Sequence, residues 1–269
     1  MASNVTPVLE FKDVTVAFDA NTAVDHISLT VRQGQSAVIL GAAGSGKTTL
    51  LKSAIGLVRC DSGHIDLFGQ DITVLDEHAL YPLRAQVGIL FQEGGVFDSL
   101  NIEDNVAYPL RNTIHLPEGE VPGRVLETLR FVELEHTLEK YPSELSGGMR
   151  RRVGIARAVV TEPRLCLYDS PTAGLDPITA NTIMALLVKE RDLKKTTTVM
   201  VTHRIQDGQI LANFRYNPET GQLEPAAGSQ KADLHTVFVV LRDGRLVFEG
   251  SEEELQSSSD PYISKFARR

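Results

Sequence analysis

An α/β fold on a mainly parallel sheet is predicted by three features of the 269-residue sequence. Short continuous apolar runs recur at Ser36–Leu40, Val87–Phe91, Leu165–Tyr168 and Thr198–Thr202, the pattern of strands buried on both faces. Helical stretches fall between them, among them Val121–Val132, Met149–Val159 and Ile178–Arg191. Apolar residues make up 42% and charged residues 23%, enough for a substantial core. Strands that alternate with helices build a parallel sheet covered on both sides.

The elements follow in order. Phe11, Val14, Val16 and Phe18 alternate imperfectly with polar residues, whereas Ile27, Leu29 and Val31 alternate cleanly, so the chain opens on β structure. The run Ser36–Leu40 leads into Gly41–Thr49, and Thr49–Leu57 reads as a helix. No convincing strand lies between Gln92 and Val160, which predicts a helical insertion on one side of the sheet. Asn213–Lys231 is polar, rich in Gly, Pro and Asn and without periodicity, an exposed loop or hairpin with no visible chemistry. Thr236–Leu241 and Arg245–Glu249, joined by Asp243-Gly244, predict a closing hairpin. Ser251 and Glu254 have capping-box spacing and start a short terminal helix.

Composition excludes several classes. The net charge of −8 (27 Lys and Arg against 35 Asp and Glu) disfavours broad nucleic-acid binding, which needs cations to displace counterions from phosphate. Two cysteines, Cys60 and Cys166, fit a reducing compartment better than a disulfide framework. No run approaches the roughly 18 apolar residues of a membrane span, and Met1-Ala2-Ser3-Asn4 carries no export signal. Any membrane role is expected to come through a partner.

Gly41-Ala-Ala-Gly-Ser-Gly-Lys-Thr48 fits G-x-x-x-x-G-K-[ST]. In such a loop Gly41, Gly44 and Gly46 let the backbone curl so that N–H groups, with those of Ser45 and Thr49, face phosphate oxygens. The following helix N-terminus adds partial positive charge, Lys47 reaches the β- and γ-phosphates, and Thr48 ligates Mg²⁺. The match sits between a buried strand and a helix, which predicts a nucleoside-triphosphate site with Mg²⁺. Asp169 ends Leu165-Cys-Leu-Tyr-Asp169, where a carboxylate can hold the water shell of the metal.

Leu145-Ser146-Gly147-Gly148-Met149 opens the basic helical stretch Arg150–Arg157 and makes a second anion-binding helix start. Ser146 lies 99 positions after Lys47 and 23 before Asp169. With that spacing the chain resembles the ATP-binding-cassette (ABC) ATPases. Gln92 falls at the family's Q-loop, Gly174-Leu175-Asp176 at its D-loop, His203 at its switch histidine and Phe18 where it places an aromatic ring against adenine. Leu80-Tyr81-x-x-Arg84, Leu90-Phe91-Gln92-x-Gly94, Asp104–Arg111 and the tail Asp260–Phe266 look like the cassettes of the Mla/Mce lipid-transport systems.

The resemblance implies one nucleotide-binding domain over 1–269: a RecA-like P-loop NTPase core, an antiparallel β subdomain and a helical signature subdomain at about 93–159. The polar insertion at about 213–231 and a tail at about 251–269 complete it. It further implies that Thr48, Gln92 and Asp169 serve the metal, and that two chains, identical or not, pair head to tail. Ser146, Gly147, Gly148 and Asp176 of one would close on the phosphates held by Lys47 of the other. Segment Glu93–Tyr108 would then carry the motion to transmembrane permease subunits on the inner face of the cell membrane.

One departure stands out. The family usually places Glu directly after the metal aspartate, as the base that polarises water; this sequence has Ser170. Binding and ATP-driven pairing are expected to survive and turnover to be slow, with His203 or a partner's intact site substituting. The functions expected are energy coupling for lipid transport, import of small polar solutes, or an ATP-binding regulatory cassette with little turnover.

Overall fold

The computed structural model describes residues 6–19, 21–228 and 234–267. Its main sheet has six strands in the order β12-β11-β3-β8-β7-β6. They are β3 (Ser36–Gly41), β6 (Val87–Leu90), β7 (Leu165–Asp169), β8 (Thr197–Thr202), β11 (Thr236–Arg242) and β12 (Arg245–Gly250). All neighbours are parallel except β11 and β12, the predicted closing hairpin.

The continuous apolar runs resolve into two alternating sets. Val38 and Leu40 of β3, Cys166 and Tyr168 of β7 and Phe238 and Val240 of β11 enter one core. There they meet α3 (Ile102–Asn112), α4 (Val121–Phe131), α5 (Gly147–Val159) and α6 (Pro177–Lys194). Ala37, Ile39, Leu165, Leu167, Val239 and Leu241 point the other way, onto α1 (Lys47–Ser53) and a second sheet. Two-sided burial is why these strands lack a polar face.

The second sheet is antiparallel, β2-β1-β4-β5, from β1 (Pro7–Phe18), β2 (Asn21–Arg32), β4 (Ser62–Leu67) and β5 (Gln70–Asp71). The imperfect alternation in β1 has a cause: pairing with β2 shifts register between Phe11 and Val14, and Asp13 takes φ +55°. A bulge adds one residue and flips the faces beyond it.

Three expectations about the main sheet and its helices need correction. Val87–Phe91 is not a strand buried on both faces. β6 pairs only with β7 at the sheet edge, Val87 and Ile89 are half-buried, and Phe91 lies past the strand. The first helix spans Lys47–Ser53 rather than Thr49–Leu57, because the turn at Gly56 (φ +68°) ends it early. The third correction concerns α6, which outruns Ile178–Arg191 at both ends: Pro177 fits its first turn and Lys195, in the left-handed region, closes it.

In Asn213–Lys231 a hairpin forms from β9 (Phe214–Asn217) and β10 (Gln222–Pro225), after α7 (Ile205–Asn213); residues 229–231 of that segment lie outside the described residues. β9 is half-buried rather than exposed. The Tyr216 N–H donates to Asp192 (2.7 Å), and Arg191 donates to the carbonyl of Phe214 (2.8 Å). Two short helices end the chain, α8 (Glu252–Gln256), opened by the predicted capping box, and α9 (Ser264–Ala267). Among the described residues no helix is long and apolar enough to cross a membrane.

Candidate functional site

β3, β8 and β7 are parallel neighbours, with Leu40 opposite Thr202 and Asp169 opposite Val201. Gly41, Asp169 and Thr202 therefore finish at one rim of the sheet, and loop 41–47, Ser170 and His203 leave from it. Open α/β sheets place ligands beyond the carboxyl ends of their strands.

The loop's glycines are used differently. Gly44 and Gly46 take φ +77° and +90°, a region that penalises side chains. A Cβ on Gly46 would also lie 2.0 Å from the Ala23 carbonyl oxygen, and one on Gly41 2.4 Å from the Ser45 hydroxyl. Gly46 is the N-cap of α1, and no side chain caps that helix, whereas Asn101, Ser146 and Asp176 cap α3, α5 and α6. The first N–H groups of α1 therefore remain available.

Lys47 folds into the loop, its Nζ donating to the carbonyls of Gly41 (2.9 Å) and Ala42 (2.7 Å) and to the Ser45 hydroxyl (3.2 Å). Burial lowers its pKa, opposed by the nearby Asp169 carboxylate. Ser45 is buried, Thr48 exposed and Thr49 half-buried. A partly desolvated ammonium at an uncapped helix start fits a bound polyphosphate.

Asp169 is 4% exposed, and its carboxylate acts through space on the Lys47 ammonium and the Arg151 guanidinium. It accepts one side-chain bond, from the Ser170 hydroxyl (3.2 Å). With one side-chain hydrogen bond this nearly buried carboxylate keeps acceptor positions open, so the donor set fits a hydrated divalent cation. Ser170 sits in the left-handed region (φ +48°), at a cost of about 1–2 kcal/mol. Its N–H donates to Val201 (2.8 Å), and its carbonyl accepts from Ala173 N–H (3.0 Å) and Arg151 (3.2 Å).

Arg151 also donates to the Ala173 carbonyl (3.3 Å), fastening the start of α5 to the segment after β7. Ser146 acts as an N-cap in this chain, its hydroxyl accepting from Met149 N–H (3.2 Å). Gly147 is exposed, and a Cβ on Gly148 would lie 2.5 Å from Thr179 of α6. Asp176 caps α6 by accepting from Ile178 and Thr179 N–H (both 3.0 Å). Gly148 thus abuts Thr179, in the first turn of the helix that Asp176 caps. Among the described residues no hydrogen bond links 146–148 to loop 41–47.

Phe18 is 51% exposed on the β1–β2 hairpin, whose Ala23 backs onto Gly46. Gln92 and His203 are exposed at the turns after β6 and β8.

Sequence reasoning missed three supporting residues. Asp207, buried at 1%, accepts from the hydroxyls of Thr172 (2.7 Å) and Thr202 (2.9 Å), tying the strand ends of β7 and β8 together. Buried Asn105 accepts from Phe97 N–H (2.7 Å) and donates to its carbonyl (3.0 Å), pinning the turn at Phe97 to α3. Arg151 is the third. Asp207 has no local pattern, whereas Asn105 and Arg151 lie in the runs Asp104–Arg111 and Arg150–Arg157, where nothing in the spacing gives them a supporting role.

A family model described as ABC transporter matches residues 24–173. The chain belongs to the ABC ATP-binding family. The cassette is 33% identical to the intermembrane phospholipid transport system ATP-binding protein MlaF of Haemophilus influenzae, over 97% of this chain and 90% of that one. It is also 33% identical to MlaF of Escherichia coli K12, over 99% and 90%. A Mycobacterium tuberculosis relative, "Probable ribonucleotide transport ATP-binding protein mkl", is 39% identical over 73% of this chain and 55% of its own length. Among solved structures, the dimeric bacterial ABC transporter cassette MJ0796 superposes with TM-score 0.76 at 28% identity, covering 90% of this cassette and 98% of that chain. The cbiO1 protein of Clostridium perfringens superposes with TM-score 0.73 at 28% identity, covering 93% and 90%.

Proposed function

We propose that this cassette is the energy-coupling subunit of a phospholipid transporter, peripheral to the membrane through permease subunits. The observation that carries the reading is likeness to two phospholipid-transport ATPases along 97–99% of the chain. The experiment is purification from native membranes with its permease, followed by mass spectrometry of the bound lipid. Phospholipid is expected; a small polar solute would favour the alternative that the mycobacterial relative's name suggests.

In this reading the loop amides and Lys47 hold the phosphates, Phe18 flanks the base, and Thr48, Gln92 and Asp169 serve Mg²⁺, which offsets phosphate charge when bound. His203 faces the γ-phosphate. Among the described residues no hydrogen bond joins 146–148 or Asp176 to loop 41–47, which supports a head-to-tail pair. ATP then draws two chains together by its higher affinity for the closed pair. A cavity of about 190 Å³ lined by Ile89, Phe91, Gly95, Tyr108 and Arg157 adjoins segment 93–108 and would seat a permease helix.

Ser170 cannot act as a base at neutral pH. Loss of a positioned base costs about 10²–10⁴-fold in rate, roughly 3–5 kcal/mol of barrier. This supports slow turnover, carried by His203 or by a partner's intact site, and in the limit a regulatory cassette. Steady-state hydrolysis by Ser170→Glu tests it: turnover should rise at least tenfold, and an unchanged rate refutes the missing-base argument.

A further inference from the structure

The C-terminal tail reaches the phosphate loop of its own chain. Tyr262 Oη accepts the Ala42 N–H (3.3 Å) and donates its hydrogen to the Leu241 carbonyl (2.9 Å). Gly41 and Leu241 are the last paired residues of β3 and β11, so the phenol bridges the two strands one residue beyond their pairing, where the loop begins. The Ala42 carbonyl is held from the other side by Lys47. When Lys47 turns to a phosphate that second hold is released, and the phenol remains as the fixed contact at the loop's entrance.

The tail has its own anchors. Asp260 accepts from the N–H groups of Tyr262 (2.7 Å) and Ile263 (3.3 Å), and the Ile263 side chain is buried in the core. The Tyr262 ring stands edge-on to Phe266 with centroids 5.3 Å apart, beside the Arg242 guanidinium at 5.2 Å. Docking therefore does not depend on the hydroxyl, and the hydroxyl is free to serve the loop.

We infer that Tyr262 is a positioning residue for nucleotide binding, coupling the docked tail to the shape of the phosphate loop. The inference rests on the reading that loop 41–47 holds phosphate. Linkage makes the coupling reciprocal: what tightens the loop tightens the tail.

The test uses the full chain with Mg²⁺ and the fluorescent analogue mant-ATP. Tyr262→Phe keeps the ring and removes both hydrogen bonds. Its Kd should rise about three- to tenfold, on the scale of one net hydrogen bond, measured at a temperature where urea titration shows both proteins fully folded. In wild type, mant-ATP should slow amide exchange over residues 260–266; in the variant that slowing should disappear. Lys47→Ala separates the two claims. If it abolishes binding while Tyr262→Phe leaves Kd unaltered, the loop reading stands and the tail inference falls. If Lys47→Ala binds normally, both fall. Absence of nucleotide-dependent protection of the tail in wild type also overturns the coupling, with no variant needed.

Discussion

Replacing Asp207 with alanine removes the acceptor of two buried hydroxyls at once. Thr172 and Thr202 are each 1% exposed, so water cannot replace the carboxylate without opening the rim of the sheet. A hydrogen bond to a charged group contributes about 1.5–3 kcal/mol. The Thr202 oxygen keeps its bond from Arg204 N–H (3.1 Å), so only its hydrogen is orphaned. The expected loss is about 3–5 kcal/mol, a large part of the roughly 5–15 kcal/mol that keeps a domain folded. Urea denaturation at constant m-value measures it, and a fall in Tm of about 10 °C should accompany it. Thr172→Val should cost about half as much. A loss below about 1 kcal/mol for Asp207→Ala would refute the view that this carboxylate holds the ends of β7 and β8 together.

Two further outcomes are expected. Burial pushes the Glu190 carboxyl up to about 6, against a bond from Thr196 (3.0 Å). Because the folded value lies above the unfolded one, its contribution is complete below the unfolded pKa and is lost as pH rises through about 6. Glu190→Gln should therefore gain about 2 kcal/mol relative to wild type between pH 4 and pH 8, read as the difference of two urea titrations. Gly46→Ala would put a Cβ 2.0 Å from the Ala23 carbonyl oxygen at φ +90°. It should lower the melting temperature and abolish mant-ATP binding, whereas Gly44→Ala, with open space around it, should lose only about 1–2 kcal/mol.

The legible parts of this protein are those whose physics is local. β3, β7 and β8 announce themselves because burial on both faces thins polar residues from consecutive positions, and β11 because Asp243-Gly244 marks its hairpin turn. The glycine loop is legible because backbone curvature demands glycine at fixed spacing. The apolar run of β6 does not reveal its edge position, because apolar character does not report how many strands lie alongside. Asp207 resembles an ordinary acidic residue in the first turn of a helix, and only the arrival of Thr172, 35 positions away, gives it a task. Tyr262 and Ala42 are 220 positions apart, and no periodicity spans that distance.

The order of strands also sets a schedule for synthesis. The antiparallel sheet is complete by Asp71, whereas β3 waits for β8 and β11 on its two sides, roughly 160 and 200 residues later; at about 5–20 residues per second that delay is tens of seconds. A ribosome halted before Thr236 would carry a chain with its glycine loop exported and one flank of the supporting strand bare. A chain that lacks β11 therefore leaves the strand that launches the glycine loop unpaired on that flank.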